Sequence, residues 1–438
     1  MTKRFWSVLC ALCCCFFLLP QRAAAAGPDT TFSQAYIVMD AGTGQVLAEK
    51  NADQRAYPAS ITKVLTTALA LESCAPEETV TISEEAVFSI DRGSTHIALT
   101  PGEQVSVQQL AYAAMLASAN DAANGLAEHA GGSLEAFTER MNAKARALGA
   151  AGTHFTNASG LHDENHYTTA RDFAKITRWA LEVPGFREVF GADEYRMAPT
   201  NLQPESRYFG TYNCLTVESA YTYEGATGGK LGWTPEANHT LVAVAHRGEM
   251  ELIIVLLNSK NKWDKFKDAV MLYDYCFESF QRVQVPVSGI PETIPLMEGE
   301  TPAGEVKLKL PAAFSVDLPA GSEASAIRLS PEVPAAYQKN EGIAPACSLY
   351  FGEELLYSAP IDYALSFSET SAVPAAIEPE EKKPSGHGLP GWAGWTFAIL
   401  LVLLFLRRVM VVRRRRRRRR LRNQRLGRTA SAGRRAGL

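Results

Sequence analysis

Runs of apolar residues at both ends of the first 280 positions predict β-strands. Runs at residues 35–39 and 45–48 flank a Gly-containing turn at 40–44, which predicts a β-hairpin. Runs at 240–246 and 251–257 are joined by a turn that contains Gly248, and they predict a second strand pair. The region therefore has predicted strands near its two ends.

Between these strands, apolar residues recur every three or four positions, which is typical of amphipathic helices. One helix is predicted to start near Ser60, just after Pro58. Further helices are predicted near residues 107–117, 134–148, 169–181 and 263–280. Helices enclosed by strands in this order predict an α+β domain over residues 27–282, with an antiparallel sheet flanked by helices.

The pattern changes after this region. Residues 306–310 and 314–318 alternate with period two, and prolines and glycines separate the segments. This predicts a small β-rich domain over residues 283–365. Residues 366–388 are dominated by Ser, Pro, Glu and Lys, which predicts a flexible linker.

Both ends of the chain carry membrane-related signals. Two basic residues, an apolar run and four alanines over residues 1–26 predict a cleaved signal peptide. The uncharged apolar run at 389–406 predicts a transmembrane helix within residues 389–412. Tryptophans on one flank and arginines on the other place the Arg-rich tail, residues 413–438, in the cytoplasm. We therefore expect a single-pass protein of the cell membrane, with an extracytoplasmic catalytic domain and an anchor that contacts membrane lipid.

The net charge of −3 hides an asymmetry between these parts. All 47 Asp and Glu lie between residues 27 and 389, whereas 3 of the 44 Lys and Arg lie in the signal region and 15 lie at or beyond Arg407. The exported part thus has 26 basic residues against 47 acidic ones, a net charge of −21. A charge of this sign argues against a nucleic-acid partner.

The cysteines do not indicate a metal site or a disulfide framework. Four of the eight lie in the signal region, and the remaining ones are scattered along the chain: Cys74, Cys214, Cys276 and Cys347. Their spacing matches no common metal motif, so we interpret them as buried or incidental thiols. His162 and His166 lie close together but lack further nearby ligands, and we expect a loop or packing role for them. No metal and no cofactor is predicted.

Three short motifs indicate nucleophilic catalysis. In chain order they are S-x-x-K at Ser60 and Lys63, S-x-N at Ser118 and Asn120, and K-x-G at Lys230 and Gly232. A serine hydroxyl is a weak nucleophile at neutral pH and needs a nearby base. Residues three apart lie on one face of a helix, so the Lys63 amine is expected near the Ser60 hydroxyl. Desolvation and a second cation can keep that amine neutral.

Each motif is weak evidence by itself, and the specificity comes from their order and surroundings. With its context, the chain resembles the D-Ala-D-Ala carboxypeptidases, which are low-molecular-mass penicillin-binding proteins of serine peptidase family S11. The resemblance rests on five segments: YPASITK (57–63), LASANDAA (116–123), NASGL (157–161), HYTTARD (166–172) and GKLGWT (229–234). It covers residues 35–280 well and implies a β-lactamase/transpeptidase-like fold.

The resemblance implies a role for each motif residue. Ser60 would attack the penultimate D-alanine of a peptidoglycan stem peptide, and Lys63 would take its proton. Ser118 would relay a proton to the leaving D-alanine, and Asn120 would orient the substrate and Lys63. Lys230 would supply a positive field and help to keep Lys63 neutral. β-Lactam antibiotics would act as covalent inhibitors.

The resemblance also implies the substrate-binding residues. The backbone N–H groups of Ser60 and Trp233 would form the oxyanion hole, next to Gly232. Thr234 would contact the terminal carboxylate of the substrate. Lys265 is a further candidate for that contact, with a surface helix position as the competing interpretation.

One position departs from the family pattern. The third motif normally has threonine in its middle, whereas this chain has Leu231. Loss of a hydrogen bond to a charged group costs on the order of 1.5–3 kcal/mol, or roughly ten- to a hundredfold in rate. Thr234 or Thr227 could compensate in part.

Three alternatives to a carboxypeptidase remain open at this point. A class A β-lactamase is disfavoured because no Glu-x-x-Leu-Asn segment occurs between Ser118 and Lys230. A muropeptide endopeptidase on the same fold is poorly separated by sequence. A non-catalytic wall-binding protein is suggested by Leu231, although every residue with a proton-transfer role is present.

Overall fold

The computed structural model describes residues 31–367 together with Pro28. The helices in this part are α1 Lys63–Ser73, α2 Glu84–Phe88, α3 Val107–Leu116, α4 Asn120–Gly131, α5 Leu134–Ala147, α6 Ala170–Ala180, α7 Phe186–Phe190 and α8 Asp264–Ser279. Short 3₁₀ helices occur at Ala59–Thr62 and Ala324–Ala326.

The strands of the first region are β1 Ala35–Asp40, β2 Val46–Lys50, β3 Thr79–Thr81, β4 Gln104–Ser106, β5 Glu194–Met197, β6 Arg207–Gly210, β7 Ala226–Thr234, β8 Asn238–Arg247 and β9 Met250–Ser259. Those of the second region are β10 Phe280–Pro286, β11 Thr293–Glu298, β12 Thr301–Lys309, β13 Ala313–Pro319, β14 Ile327–Glu332, β15 Tyr337–Gln338, β16 Ala346–Phe351, β17 Glu354–Pro360 and β18 Asp362–Phe367.

A five-stranded sheet joins the two ends of the first region. Its strand order is β2-β1-β9-β8-β7, and every neighbouring pair is antiparallel. The hairpin at the start, the strand pair near residue 250 and the α+β class are therefore confirmed. Strand β7 was not predicted. The K-x-G motif precedes the predicted strand pair in the sequence, and Lys230 lies inside this additional edge strand.

The sheet is covered on both faces, because alternate side chains of its strands enter different cores. Ile37 and Val255 join the larger core, which also contains side chains of α1, α3, α4 and α6. Tyr36 and Leu256 join the other core, together with side chains of α8. Burial on both faces explains why these central strands are almost continuously apolar.

Four of the eight helices in the described part begin at a residue whose side chain caps them. The Ser106 side chain accepts from the N–H of Gln109, whose side chain in turn accepts from the Ser106 N–H, so α3 starts with a capping box. Thr169 caps α6 by accepting from the N–H of Asp172. Four of the predicted helices are confirmed to within one residue, and the one predicted to start near Ser60 begins at Lys63, after the 3₁₀ turn. Helix α4 was missed because its start lies inside the S-x-N motif.

The second region has a separate apolar core of strand residues. The strands predicted at 306–310 and 314–318 correspond to β12 and β13. Arg282 of β10 ties this region to the first, because its guanidinium pairs with Asp40 of β1 and Asp317 of β13. Gln45 adds two hydrogen bonds to the backbone of Asp317. The domain boundaries at residues 282 and 365 stay predictions.

Several predictions about the ends of the chain lie outside the described residues. These are the signal peptide, the transmembrane helix at 389–412, the Arg-rich tail and all but the first two residues of the linker. Within residues 31–367, no helix combines the length and the hydrophobicity needed to cross a bilayer. Cys74, Cys214, Cys276 and Cys347 are free thiols in the described part.

Candidate active site

Ser60 lies in the 3₁₀ turn that leads directly into α1. The preceding residue, Ala59, has a left-handed backbone with a φ of 52°. Gly160 packs against this turn so closely that an added Cβ would lie 1.9 Å from the Ala59 carbonyl oxygen. Only glycine can approach the turn in this way, so the NASGL segment holds the nucleophile in place.

The Lys63 amine lies at the centre of the site. Its Nζ is 3.1 Å from Ser60 Oγ, 2.8 Å from Asn120 Oδ1 and 2.6 Å from the backbone oxygen of Ser159. The residue is fully buried. The oxygens of Asn120 and Ser159 can only accept hydrogen bonds, so a neutral amine would use both of its N–H bonds on them. Its lone pair then remains for the Ser60 hydroxyl.

The two buried lysines of this site, Lys63 and Lys230, both have lowered pKa values. Burial, followed by the charge of Lys230, holds the pKa of Lys63 well below 10.5, although the charge of Asp121 opposes this. Burial also lowers the pKa of Lys230 to about 7. A buried ammonium loses its hydration, and a second cation adds repulsion. The arrangement therefore favours a neutral amine beside Ser60.

The S-x-N motif forms the start of α4. Ser118 has a left-handed backbone with a φ of 56°, an uncommon conformation for a residue with a side chain. Asn120 is the first residue of the helix, and its N–H donates to the Thr95 oxygen at 2.8 Å. The Asp121 carboxylate accepts from the N–H groups of Ile97 and Leu99, which ties the helix start to a neighbouring loop. The hydrogen bonds of Asn120 and Asp121 thus stabilise the left-handed backbone conformation of Ser118.

The K-x-G motif brings edge strand β7 against the nucleophile turn. At Gly232, an added Cβ would lie 2.4 Å from Thr240 Oγ1 and 2.9 Å from the Ser60 nitrogen. A side chain here would push the strand away from Ser60, which explains the need for glycine. Trp233 is 57% exposed beside this contact.

A cleft of about 520 Å³, a size usual for small-ligand sites, brings most of the predicted residues together. Ser60, Ser118 and the β7 residues 229–233 line it. Residues that sequence reasoning did not place here also line it: Thr95, Met115, Leu116, Thr211, Tyr212, Cys214, Val217, His239, Lys262, Trp263 and Phe266. Leu116 belongs to the LASANDAA segment and Met115 precedes it. No spacing signal connects the other residues to the motifs, so only the fold could identify them.

Lys265 and Thr234, the two residues predicted to contact the substrate carboxylate, lie in different surroundings. Lys265 is 4% exposed and lines the cleft, so its interpretation as a surface lysine was wrong. Burial lowers its pKa to about 8. Thr234 lies outside the lining residues, and its Oγ1 accepts from the Ala237 N–H at 3.0 Å in the turn after β7.

His166 packs behind the nucleophile turn. Its Nδ1 accepts from the Thr156 N–H at 3.1 Å, so Nε2 carries the proton that faces Thr62 Oγ1 at 2.9 Å. Burial lowers its pKa to about 3, which keeps the ring neutral. His162 makes an edge contact with Tyr57. Both histidines therefore contact residues next to the 3₁₀ turn.

A serine with a buried lysine in an α+β fold of this kind defines the class of active-site serine hydrolases related to penicillin-binding proteins. The model of the Peptidase_S11 family, D-alanyl-D-alanine carboxypeptidase, matches residues 22–261, more than half of the chain. The chain belongs to this family.

Characterised relatives and solved structures agree with this assignment. The chain is 31% identical to the D-alanyl-D-alanine carboxypeptidase DacC of Escherichia coli over 70% of its own length and 78% of that protein. It is 30% identical to DacF of Bacillus subtilis, covering 63% and 67% of the two chains. Penicillin binding protein 5 from Haemophilus influenzae superposes with a TM-score of 0.62 at 26% identity, over 78% of this chain and all of that one.

Proposed function

We propose that the protein is a serine D-Ala-D-Ala carboxypeptidase that removes the terminal D-alanine from peptidoglycan stem pentapeptides through an acyl-enzyme on Ser60. The observation that carries the proposal is the set of contacts of Lys63, whose buried amine touches Ser60 Oγ, Asn120 Oδ1 and the Ser159 oxygen. Family membership supports the same activity.

Acylation begins when Ser60 Oγ attacks the carbonyl carbon of the penultimate D-alanine. Lys63 takes the hydroxyl proton as the C–O bond forms. The resulting oxyanion is stabilised by the backbone N–H groups of Ser60 and Trp233, which fits the close approach of β7 to the Ser60 nitrogen. The C–N bond then breaks, and the proton passes through Ser118 to the leaving D-alanine amine.

Deacylation uses the same groups in reverse roles. Water attacks the acyl carbon and transfers a proton to Lys63, and the Ser60 oxygen takes a proton back as the ester bond breaks. The products are the shortened peptide and the free enzyme. Asn120 keeps Lys63 in place through both steps, since its Oδ1 lies 2.8 Å from Nζ.

Recognition of the terminal carboxylate is assigned to cations of the cleft wall. Lys230 and Lys265 are both buried beside the cleft. Leu231 lines the same wall and packs against the α8 side of the sheet, so it offers no hydroxyl to the substrate. We therefore assign Leu231 to weakened carboxylate binding, and we leave Thr234 out of the substrate contacts.

The direct test is D-alanine release from a synthetic stem pentapeptide. The wild-type protein should release one equivalent of D-alanine per peptide, and Ser60→Ala should release none. Cleavage of a crosslinked muropeptide dimer into monomers, without D-alanine release from the pentapeptide, would support the endopeptidase alternative. A folded wild-type protein without activity on either substrate would support the non-catalytic alternative suggested by Leu231.

We further propose that the protein is exported and held at the cell membrane by residues 389–412. The apolar run, the flanking arginines and the charge of −21 on the exported part support this arrangement. The β-rich region and the linker would then separate the catalytic domain from the lipid. Added protease should digest the catalytic domain of intact, wall-stripped cells, and protection of that domain would contradict the proposed orientation.

A further inference from the structure

A second cluster of chemically versatile side chains lies at the opposite ends of the two helices that carry the catalytic motifs. Lys63 opens α1 and Asn120 opens α4. Cys74 directly follows the last residue of α1, and His129 lies in the last turn of α4. Glu78 lies between Cys74 and strand β3. One ligand atom from each of these three residues lies within 4.8 Å of the others.

The carboxylate of this cluster is already oriented. Glu78 Oε1 accepts from the Ala75 N–H at 2.7 Å, and Oε2 lies 3.0 Å from His129 Nε2. The Glu78 side chain is 47% exposed and that of His129 is 26% exposed, so both are accessible to a solvated ion. The backbone turn fixes one oxygen of Glu78 and directs the other toward His129.

The donor set matches the preferences of zinc. Thiolate sulfur, imidazole nitrogen and carboxylate oxygen are its usual protein ligands, at about 2.0–2.3 Å from the ion. Ligand atoms around a tetrahedral ion of this size lie about 3.3–3.8 Å apart. The Glu78 and His129 atoms, 3.0 Å apart, would have to separate slightly to reach this arrangement. The Cys74 sulfur lies within 4.8 Å of both and needs only a small shift, and water can occupy the fourth position.

The charges around the cluster also favour a cation on balance. A thiolate and a carboxylate together neutralise a divalent ion, and the C-terminal ends of α1 and α4 contribute partial negative charge. The Arg140 guanidinium opposes binding, because it donates to Ser73 Oγ and to the Ala130 oxygen nearby. Burial, followed by the charge of Glu78, raises the pKa of Cys74, so metal binding must release the thiol proton and strengthens as pH increases.

We propose that Cys74, Glu78 and His129 bind a zinc ion that links the C-terminal ends of α1 and α4. This site is separate from the acyl-transfer chemistry, and its existence does not depend on the proposed function. Bound zinc would hold together two helices whose opposite ends position Lys63 and Asn120. The spacing of the cysteines did not indicate this site, because His129 lies more than fifty residues from Cys74 in the sequence.

Zinc titration of the full-length, chelator-treated protein tests the proposal, with a chromophoric chelator as competitor. We expect one zinc per chain in the wild type, and binding weaker by on the order of a hundredfold or more in Cys74→Ser and His129→Ala. Cys214→Ser is the matched thiol control and should bind zinc like the wild type. Any zinc held by cysteines of the first 26 residues is common to all variants and cancels in the comparison.

Cobalt provides a second readout of the same site. The wild type loaded with Co²⁺ should show a thiolate-to-cobalt charge-transfer band that Cys74→Ser lacks. Glu78→Gln changes an exposed side chain, so it keeps the test decisive if Cys74→Ser does not fold, and it should bind zinc at least about tenfold more weakly. No zinc bound by the wild type, or equal affinity in all variants, would overturn the proposal.

Discussion

Two basic side chains in this protein, the fully buried Lys63 and the largely buried Arg282, have opposite surroundings. Lys63, in the active site, contacts a hydroxyl, an amide oxygen and a backbone oxygen. The charged neighbour that shifts its pKa most is another lysine, Lys230. Arg282, at the junction of the two regions, pairs with the buried carboxylates of Asp40 and Asp317. The difference shows how the partner of a buried cation decides its role.

Carboxylate partners keep a buried cation charged and make it structural. Neutral partners and a second cation leave the charge uncompensated, so the group gives up its proton and becomes a base. Arginine suits the first role because it cannot lose its proton in a protein, and lysine suits the second. The following predictions test this contrast, from the largest expected effect to the smallest.

Replacement of the active-site cation by a permanent one should cause the largest effect. Lys63→Arg places a permanent positive charge where the site favours a neutral amine, and the guanidinium cannot accept the proton of Ser60. We expect acylation by benzylpenicillin to slow by roughly 10²- to 10⁴-fold, the usual contribution of a positioned general base. Rates measured by intact mass over time provide the check, with Lys144→Arg, a partly exposed lysine paired with Glu72, as the control. An unchanged rate would remove Lys63 as the base.

Removal of the junction cation should affect stability and leave chemistry intact. Arg282→Met leaves Asp40 and Asp317 buried without their partner, and we expect the free energy of unfolding to fall by about 3–5 kcal/mol. Urea unfolding measures this change. The control is Arg187→Met, which breaks an exposed pair with Glu251 and should cost about 1 kcal/mol or less.

A further outcome separates structure from catalysis in the same variant. The fraction of Arg282→Met that remains folded should be acylated by penicillin at the wild-type rate. A slower rate in the folded fraction would mean that the junction also supports the active site.

Restoration of the family residue in the third motif should raise activity. Leu231→Thr supplies a hydroxyl at the cleft wall beside Lys230, and we expect kcat/KM for the pentapeptide to increase roughly ten- to a hundredfold. Leu231→Val is the control, since valine has the shape of threonine without its hydroxyl. Equal effects of Thr and Val would attribute the change to volume and not to a hydrogen bond.

The pH dependence of stability should reveal the uncompensated charge of Lys230. Its pKa is about 7 in the folded protein and about 10.5 when unfolded. Between these values the unfolded state binds more protons, so the free energy of unfolding rises with pH, by at most about 1.4 kcal/mol per pH unit for this group. This contribution is lost as the pH falls through about 7.

The comparison of wild type with Lys230→Met isolates that slope. Urea unfolding from pH 7 to pH 10 should show a shallower rise for Lys230→Met than for the wild type. Lys144→Met should keep the wild-type slope because that side chain is partly exposed and paired with the Glu72 carboxylate. Equal slopes for all three proteins would mean that Lys230 keeps its charge when folded.

The parts of the site that sequence could predict are those governed by local geometry. The separation of Ser60 and Lys63 by one helical turn brings their side chains together, as predicted. The contact of Lys63 with the Ser159 backbone oxygen could not be predicted, because every residue has a backbone oxygen and the residue type does not indicate which one is used. Lys265 could not be distinguished from a surface lysine until the position of α8 beside the cleft was known.

The same limit applies to the fold. Helices and strands with strong apolar periodicity were predicted within a few residues, including α3, α5 and α8. The junction of Arg282 with Asp40 joins residues 242 positions apart, and no local pattern contains that information. Strand β7 was missed because its glycines lower its strand propensity, although they are what allows its approach to Ser60.

The most direct test of the account is the intact mass of the purified protein before and after brief exposure to benzylpenicillin. We predict a mass increase of one penicillin per chain, mapped to Ser60 by peptide digestion and absent in Ser60→Ala. A folded protein that gains no mass, while the antibiotic persists in solution, would contradict the assignment of Ser60 and Lys63 as nucleophile and base.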